Sequence, residues 1–232
     1  MAHQVTVLDR YERVQAVLGG EGPAACPILE DLHREALEAA EETYEFTVPA
    51  DHPDAAVLAP EGYVFFADLD GVGRLFRIKQ VEDELDEQDR RVRRVLAEQA
   101  ALELNWAIVR PATWQGVTAT QALQNALANT RWQVGEVEWA GVRTIKVEDY
   151  RTVTQVLHQI AGEFGGELRY RVEWAGGRVV ARYVDLLQRR GQATGVRFEY
   201  SQDIKGLRRV EDTTELRSEE HTSELQSLRH LV

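Results

Sequence analysis

Cysteine is almost absent: Cys26 is the only one in 232 residues, so the chain has no disulfide framework and no cysteine-ligated metal site. It stands in "GGEGPAACPILED", which reads as a loop holding a tolerated free thiol. Serine does not occur before Ser201, and no G-x-S-x-G surrounds that residue, so serine hydrolysis has no support. Basic excess is also missing. A net charge of -12 gives no electrostatic footprint for DNA or RNA, and Lys205, Arg208 and Arg209 make only a minor basic spot. No apolar run reaches the length of a bilayer span, and the N-terminus lacks the basic-then-apolar layout of a secretion signal.

The chemical motifs are equally sparse. The six histidines form no H-E-x-x-H and no His/acid cluster. His52, in "PADHPDAAV", reads as part of a polar turn, and His158 as a partly buried structural residue beside a helix's apolar face. "GVGRLF" is not G-x-G-x-x-G and sits inside a hairpin pattern, while the glycines of "EFGGEL" and "WAGGRV" suit a helix end and a hairpin tip. Carboxylate pairs such as Asp68/Asp70, Glu136/Glu138 and Glu211/Asp212 are what 39 acidic residues produce by chance, and none is singled out as a hydrolase pair. The expectation is of no catalytic, cofactor or metal site.

What is present is an ordinary folded composition, 44% apolar and 28% charged, and a clear change of grammar along the chain. Residues 1–85 read as a β-rich domain: "QVTVLD" and "YEFTVPA" alternate, and Asp70-Gly71 and Gly73 punctuate a hairpin in "GYVFFADLDGVGRLFRIKQVED". Between them, Ile28, Leu32, Ala36, Leu37 and Ala40 lie at helical spacing, giving a short amphipathic helix or a stretch that is half loop. "EDELDEQDRRVRR" reads as a solvated connection or exposed strand edge. In "VRRVLAEQAALELNWAIV", propensity favours helix in the middle, against which tertiary pairing can impose strand.

Residues 86–216 read as α+β, with an internal repeat. Thr118, Thr120, Gln121 and Leu123 recur as Thr152, Thr154, Gln155 and Leu157 at an offset of 34, and Trp139-Ala140-Gly141 recurs as Trp174-Ala175-Gly176 at 35. Each copy, 118–141 and 152–176, predicts a helix capped by its threonine and followed by a strand. Leu123 and Leu127 are expected to bury against Trp132 and Val134; Leu157 and Phe164 carry the apolar face of the second helix. Of the five tryptophans, Trp132, Trp139 and Trp174 are candidates for core or subunit contact. Phe198 and Tyr200, two apart, share one face of a strand and would line either the core or a subunit contact.

Residues 217–227, "RSEEHTSELQS", have no helical or strand period. Their back-translation with ordinary codons coincides with the start of a common sequencing-library adapter. The expectation is that natural sequence stops near Leu216 and that 217–232 is a non-native tail.

Four segments in order, "VLAEQAALELNWAIVRP", "TATQALQNALANTRWQVGEV", "TVTQVLHQIAGEFGGELRYRV" and "GVRFEYSQDIKGLRRVEDTTEL", resemble the N-terminal region of siphophage and prophage minor tail proteins, the "prophage endopeptidase tail" or baseplate-hub-like family. In the last, Ser201 stands where a glycine is common, and Gln202 and Asp203 replace Lys-Asn. The resemblance implies β-rich baseplate-hub-like domains with short helices and a structural role at the virion tail tip after assembly in the host cytoplasm. It further implies a homo-oligomer, a trimer, contacting the distal tail protein and tail tube or tape-measure proteins, while the charge and hydropathy of the chain lead to the expectation of no nucleic-acid partner and no membrane insertion. A peptidase or other wall-degrading module would lie beyond Leu216. Two alternatives stand beside it: a carbohydrate- or wall-binding module, marked by an exposed tryptophan row, and a hydrolase fragment.

Overall fold

The computed structural model describes residues 4–35, 42–68 and 70–191. Met1–Arg190 forms one compact unit, to which the following description is confined.

A seven-stranded, wholly antiparallel sheet comes first in the chain. Its strands are β1 (Val5–Leu8), β2 (Val14–Leu18), β3 (Glu30–Glu35), β4 (Glu42–Pro49), β5 (Tyr63–Ala67), β6 (Gly73–Leu85) and β7 (Arg91–Gln99), in the order β2-β1-β5-β6-β7-β4-β3. Alternation along each strand sends successive side chains to opposite faces, and here the two faces feed two different cores. Val64 and Phe66 of β5 join Val5, Val7, Tyr44, Phe46, Phe76, Ile78 and Val95 in one cluster. Tyr63, on the opposite face of β5, joins Leu8 and Leu75 in the other, with Phe65 packed against that cluster. The β5–β6 turn is held by Asp68, whose Oδ1 accepts hydrogen bonds from the amides of Asp70 (3.0 Å) and Val72 (2.8 Å).

The helix-like spacing around Ile28–Ala40 does not give a helix in its described part. Glu30–Glu35 is a strand paired along its length with β4, from Glu30↔Thr47 to Glu35↔Glu42. Backbone pairing outweighs a periodicity supplied by only a few apolar residues, and Leu32 ends 44% exposed. Ala36, Leu37 and Ala40 lie outside the described residues. "VRRVLAEQ" likewise becomes strand β7, followed by a 3-10 turn at Ala100–Asn105. The charged stretch where the sequence changes character is the far half and tip of the β6–β7 hairpin, with Asp83 and Glu84 of one strand paired to Arg93 and Arg94 of the other.

The second core is α+β. It contains β8 (Ile108–Val109), β9 (Ala112–Thr118), α1 (Ala119–Leu127), β10 (Gln133–Val137), β11 (Val142–Val147), β12 (Arg151–Thr152), α2 (Val153–Phe164), β13 (Glu167–Ala175) and β14 (Arg178–Leu187). The repeat is structural. Thr118 and Thr152 both cap their helices and both form reciprocal capping boxes, with Gln121 and Gln155 reaching back to the cap amides. The strands that follow, β10 and β13, flank β14 on either side, one parallel and one antiparallel to it. The Trp-Ala-Gly copies fall at equivalent chain reversals: Gly141 (φ 91°) leads into β11 and Gly176 (φ 59°) into β14, a left-handed conformation that glycine adopts without steric cost. Replacing Thr152 by alanine leaves the Gln155 amide without its acceptor, and the account expects a loss of about 1 kcal/mol in chemical denaturation; no change in midpoint would contradict the cap.

Candidate functional site

The leucines and aromatics singled out by the repeat converge on one place, the second core. Leu123 and Leu157 are fully buried there, with Leu127, Trp132 and Phe164 almost so, and Trp139, Trp174 and Val134 pack against its rim. Trp132 lies edge-on to Tyr170, ring centroids 5.9 Å apart, and its indole N–H donates to Glu103 Oε1 at 2.6 Å. Trp174 stacks on Phe65 of β5 at 4.5 Å, tying the hairpin β13–β14 to the seven-stranded sheet. Leu123, Leu127, Trp132, Leu157 and Phe164 are thus buried within this chain, while Trp139 and Trp174 are only partly buried. Phe198 and Tyr200 lie outside the described residues. Of the five tryptophans, Trp106 is the exposed one, at 68%; a row of exposed indoles is not what the fold displays.

Charges make the less expected part of the site. Arg74 is buried on β6, with Asp68 at 2.8 Å, Glu42 at 3.4 Å and Glu35 at 3.5 Å. Glu42, buried as well, also meets His33 Nε2 at 2.8 Å and accepts from Gln99. A second network joins the β1–β2 turn to the α+β core. Arg131 is bonded to Glu103 and Glu12, and Arg182 reaches the same Glu12 oxygen at 2.6 Å. Burial pushes the Glu12 carboxyl up, but the guanidiniums of Arg182 and Arg131 outweigh it and hold the group below its ordinary range. A third cluster lies on the three-stranded sheet. The wholly buried Asp185 accepts from Arg169 Nε and Arg171 Nε, each at 2.8 Å, and from the Glu136 amide at 2.7 Å. Gly135 makes room for this approach, since a Cβ there would stand 1.9 Å from Asp185 Oδ1.

In these clusters the carboxylates are paired with cations or amides, an arrangement that ties loops and strands together. Among the described residues no group of three or more His, Cys, Asp or Glu side chains is placed to hold a metal. His52 does what a polar turn requires: its Nδ1 accepts from the Asp54 amide at 3.1 Å and caps a short 3-10 turn. His158 remains more accessible than its position beside the apolar face of α2 suggests, and the burial it does have lowers its pKa. Burial, helped by the charge of Asp54, pushes the Cys26 thiol up to about 11, which keeps it protonated and unreactive at neutral pH.

The ion clusters were not anticipated, yet three of their residues carried a local signal. Arg74 in "GRLF" and Asp185 in "YVDLLQ" are single charges set among apolar residues of a strand, where only a buried partner makes burial tolerable. Glu103 in "AALELNW" is a third charge set among apolar residues, whereas Arg131 and Glu12, far apart in the chain and each in a polar context, carried none.

Comparison with known proteins agrees with this architecture. Residues 107–186, which hold both capped helices and the three-stranded sheet, match the model of the prophage endopeptidase tail domain. The tail protein from Neisseria meningitidis MC58 superposes with a TM-score of 0.50 at 14% identity over 80% of this chain. Prophage tail protein gp18 from Listeria monocytogenes EGD-e does so with a TM-score of 0.50 at 13% identity, again over 80%. The chain spans about half the length of each, 50% in both cases. No curated protein matches it. The chain thus shares the α+β fold of solved tail proteins across most of its described length.

Proposed function

We propose that this chain is a structural component of a phage or prophage tail, acting at the tail tip as a baseplate-hub-like scaffold for host attachment and tube closure. The observation that carries the reading is the match to the prophage endopeptidase tail domain over the paired helix-strand units, lying within a longer span that shares the tail-protein fold. The interior supports this reading too. Its conspicuous polar groups are spent on cross-linking loops to strands, the economy of a load-transmitting module rather than of a reaction centre. In this reading the chain self-assembles, as a trimer, and contacts the distal tail protein and tail tube or tape-measure proteins. It sits at the virion tail tip after assembly in the host cytoplasm. Sedimentation of the full chain tests self-assembly. A concentration-dependent species of three times the monomer mass is expected, and a clean monomer at high concentration would count against it.

A further inference from the structure

We propose that the groove beside Trp106 is a subsite for an uncharged sugar ring. The indole, 68% exposed, follows the 3-10 turn Ala100–Asn105, where its amide donates to Glu103 O at 3.0 Å. One face of its ring is covered by the Arg77 guanidinium, 4.9 Å from the ring centroid, which leaves the opposite face for a ligand. A large aromatic surface left in water forgoes the free energy of burial, and here the platform borders a groove of about 170 Å³.

The groove's polar lining defines the ligand class. Glu61 is paired with Arg77, Glu98 with Lys79 at 3.5 Å, and Glu103 with Arg131 at 2.6 Å. With those carboxylates already matched, the lining exerts little net pull on a charged ligand. Glu61, Arg77, Lys79, Glu98, Gln99 and Glu103 line the groove with hydrogen-bond donors and acceptors, which suit vicinal hydroxyls. The apolar face of a pyranose lies on an aromatic ring for the same reason that other C–H surfaces do, burial of carbon against the π face. Apart from Trp106, the carbon-rich part of the lining is Ala100 and Leu102, a thin apolar supply for a protein anchor, whose binding centre is ordinarily a well-packed, fully desolvated pocket. The subsite is independent of the assembly reading: it requires neither a trimer nor a virion.

The test is titration of the full chain with maltotriose and with the trisaccharide of N-acetylglucosamine, read by tryptophan emission. At least one sugar is expected to give a saturable change. Trp106→Ala should abolish it while leaving the far-UV circular dichroism and melting temperature unchanged, and Trp106→Phe, which keeps a smaller ring, should weaken it by roughly tenfold. Absence of a saturable response to both sugars would overturn the proposal. So would a Trp106→Ala chain that sediments at a different mass while its response to sugar is intact, which would assign the indole to a subunit contact.

Discussion

Leu123→Ala is expected to lower the unfolding free energy by about 2–5 kcal/mol. Leu123 is 0% exposed and belongs to the cluster that also holds Leu127, Trp132, Leu157 and Ile160, so truncation removes contacts from both helices at once and opens a cavity that the capped helices cannot easily close. Urea denaturation followed by circular dichroism should show a lower midpoint with an unchanged slope. Leu157→Ala, at the equivalent repeat position and equally buried, should fall in the same range. The experiment also separates two roles. If these leucines served a subunit contact instead, truncation would leave subunit stability intact and change only the assembled mass.

Asp185→Ala should cost about 3 kcal/mol, the lower end of what breaking a buried ion pair removes. The substitution leaves Arg169, Arg171 and the Glu136 amide without their shared acceptor. The two arginines are 21% and 30% exposed, so water relieves part of the loss, which places the estimate low in the range. Asp185→Asn, which keeps an acceptor but not the charge, should be milder than the alanine variant. Equal losses in the two would mean that the hydrogen-bond geometry contributes nothing. Because β14 is the central strand between β10 and β13, the damage should appear as loss of global cooperativity rather than local fraying.

The repeat was legible because its signals are local. A threonine followed three residues later by glutamine, then apolar residues on one face, is enough to place a capped helix, and both copies fold that way. Hairpin tips at Asp70-Gly71 and Gly176-Gly177 were legible for the same reason, since φ is decided by the residue itself. The strand at Glu30–Glu35 was not. "EDLHRE" has helical propensity and no apolar alternation, and what makes it a strand is β4 alongside it. β7 shows the same override at its end, where "LAEQ" favours helix by propensity yet is strand. Tryptophan is ambiguous at sequence level because it suits cores, interfaces and sugar platforms alike. Trp132 and Trp106 have opposite fates, 4% and 68% exposed, although a turn immediately precedes each of them. The Glu12–Arg131–Arg182 network depends on residues more than a hundred positions apart, beyond any local pattern.

The most direct test of the central claim is immunogold electron microscopy. Antibodies raised against the full chain would be applied to particles released from the strain that encodes it. Gold at the distal end of the tail, one locus per particle, is the predicted result. Well-preserved tails that carry no label at the tip, while the antibody still recognises the chain in lysate, would contradict the tail-tip assignment.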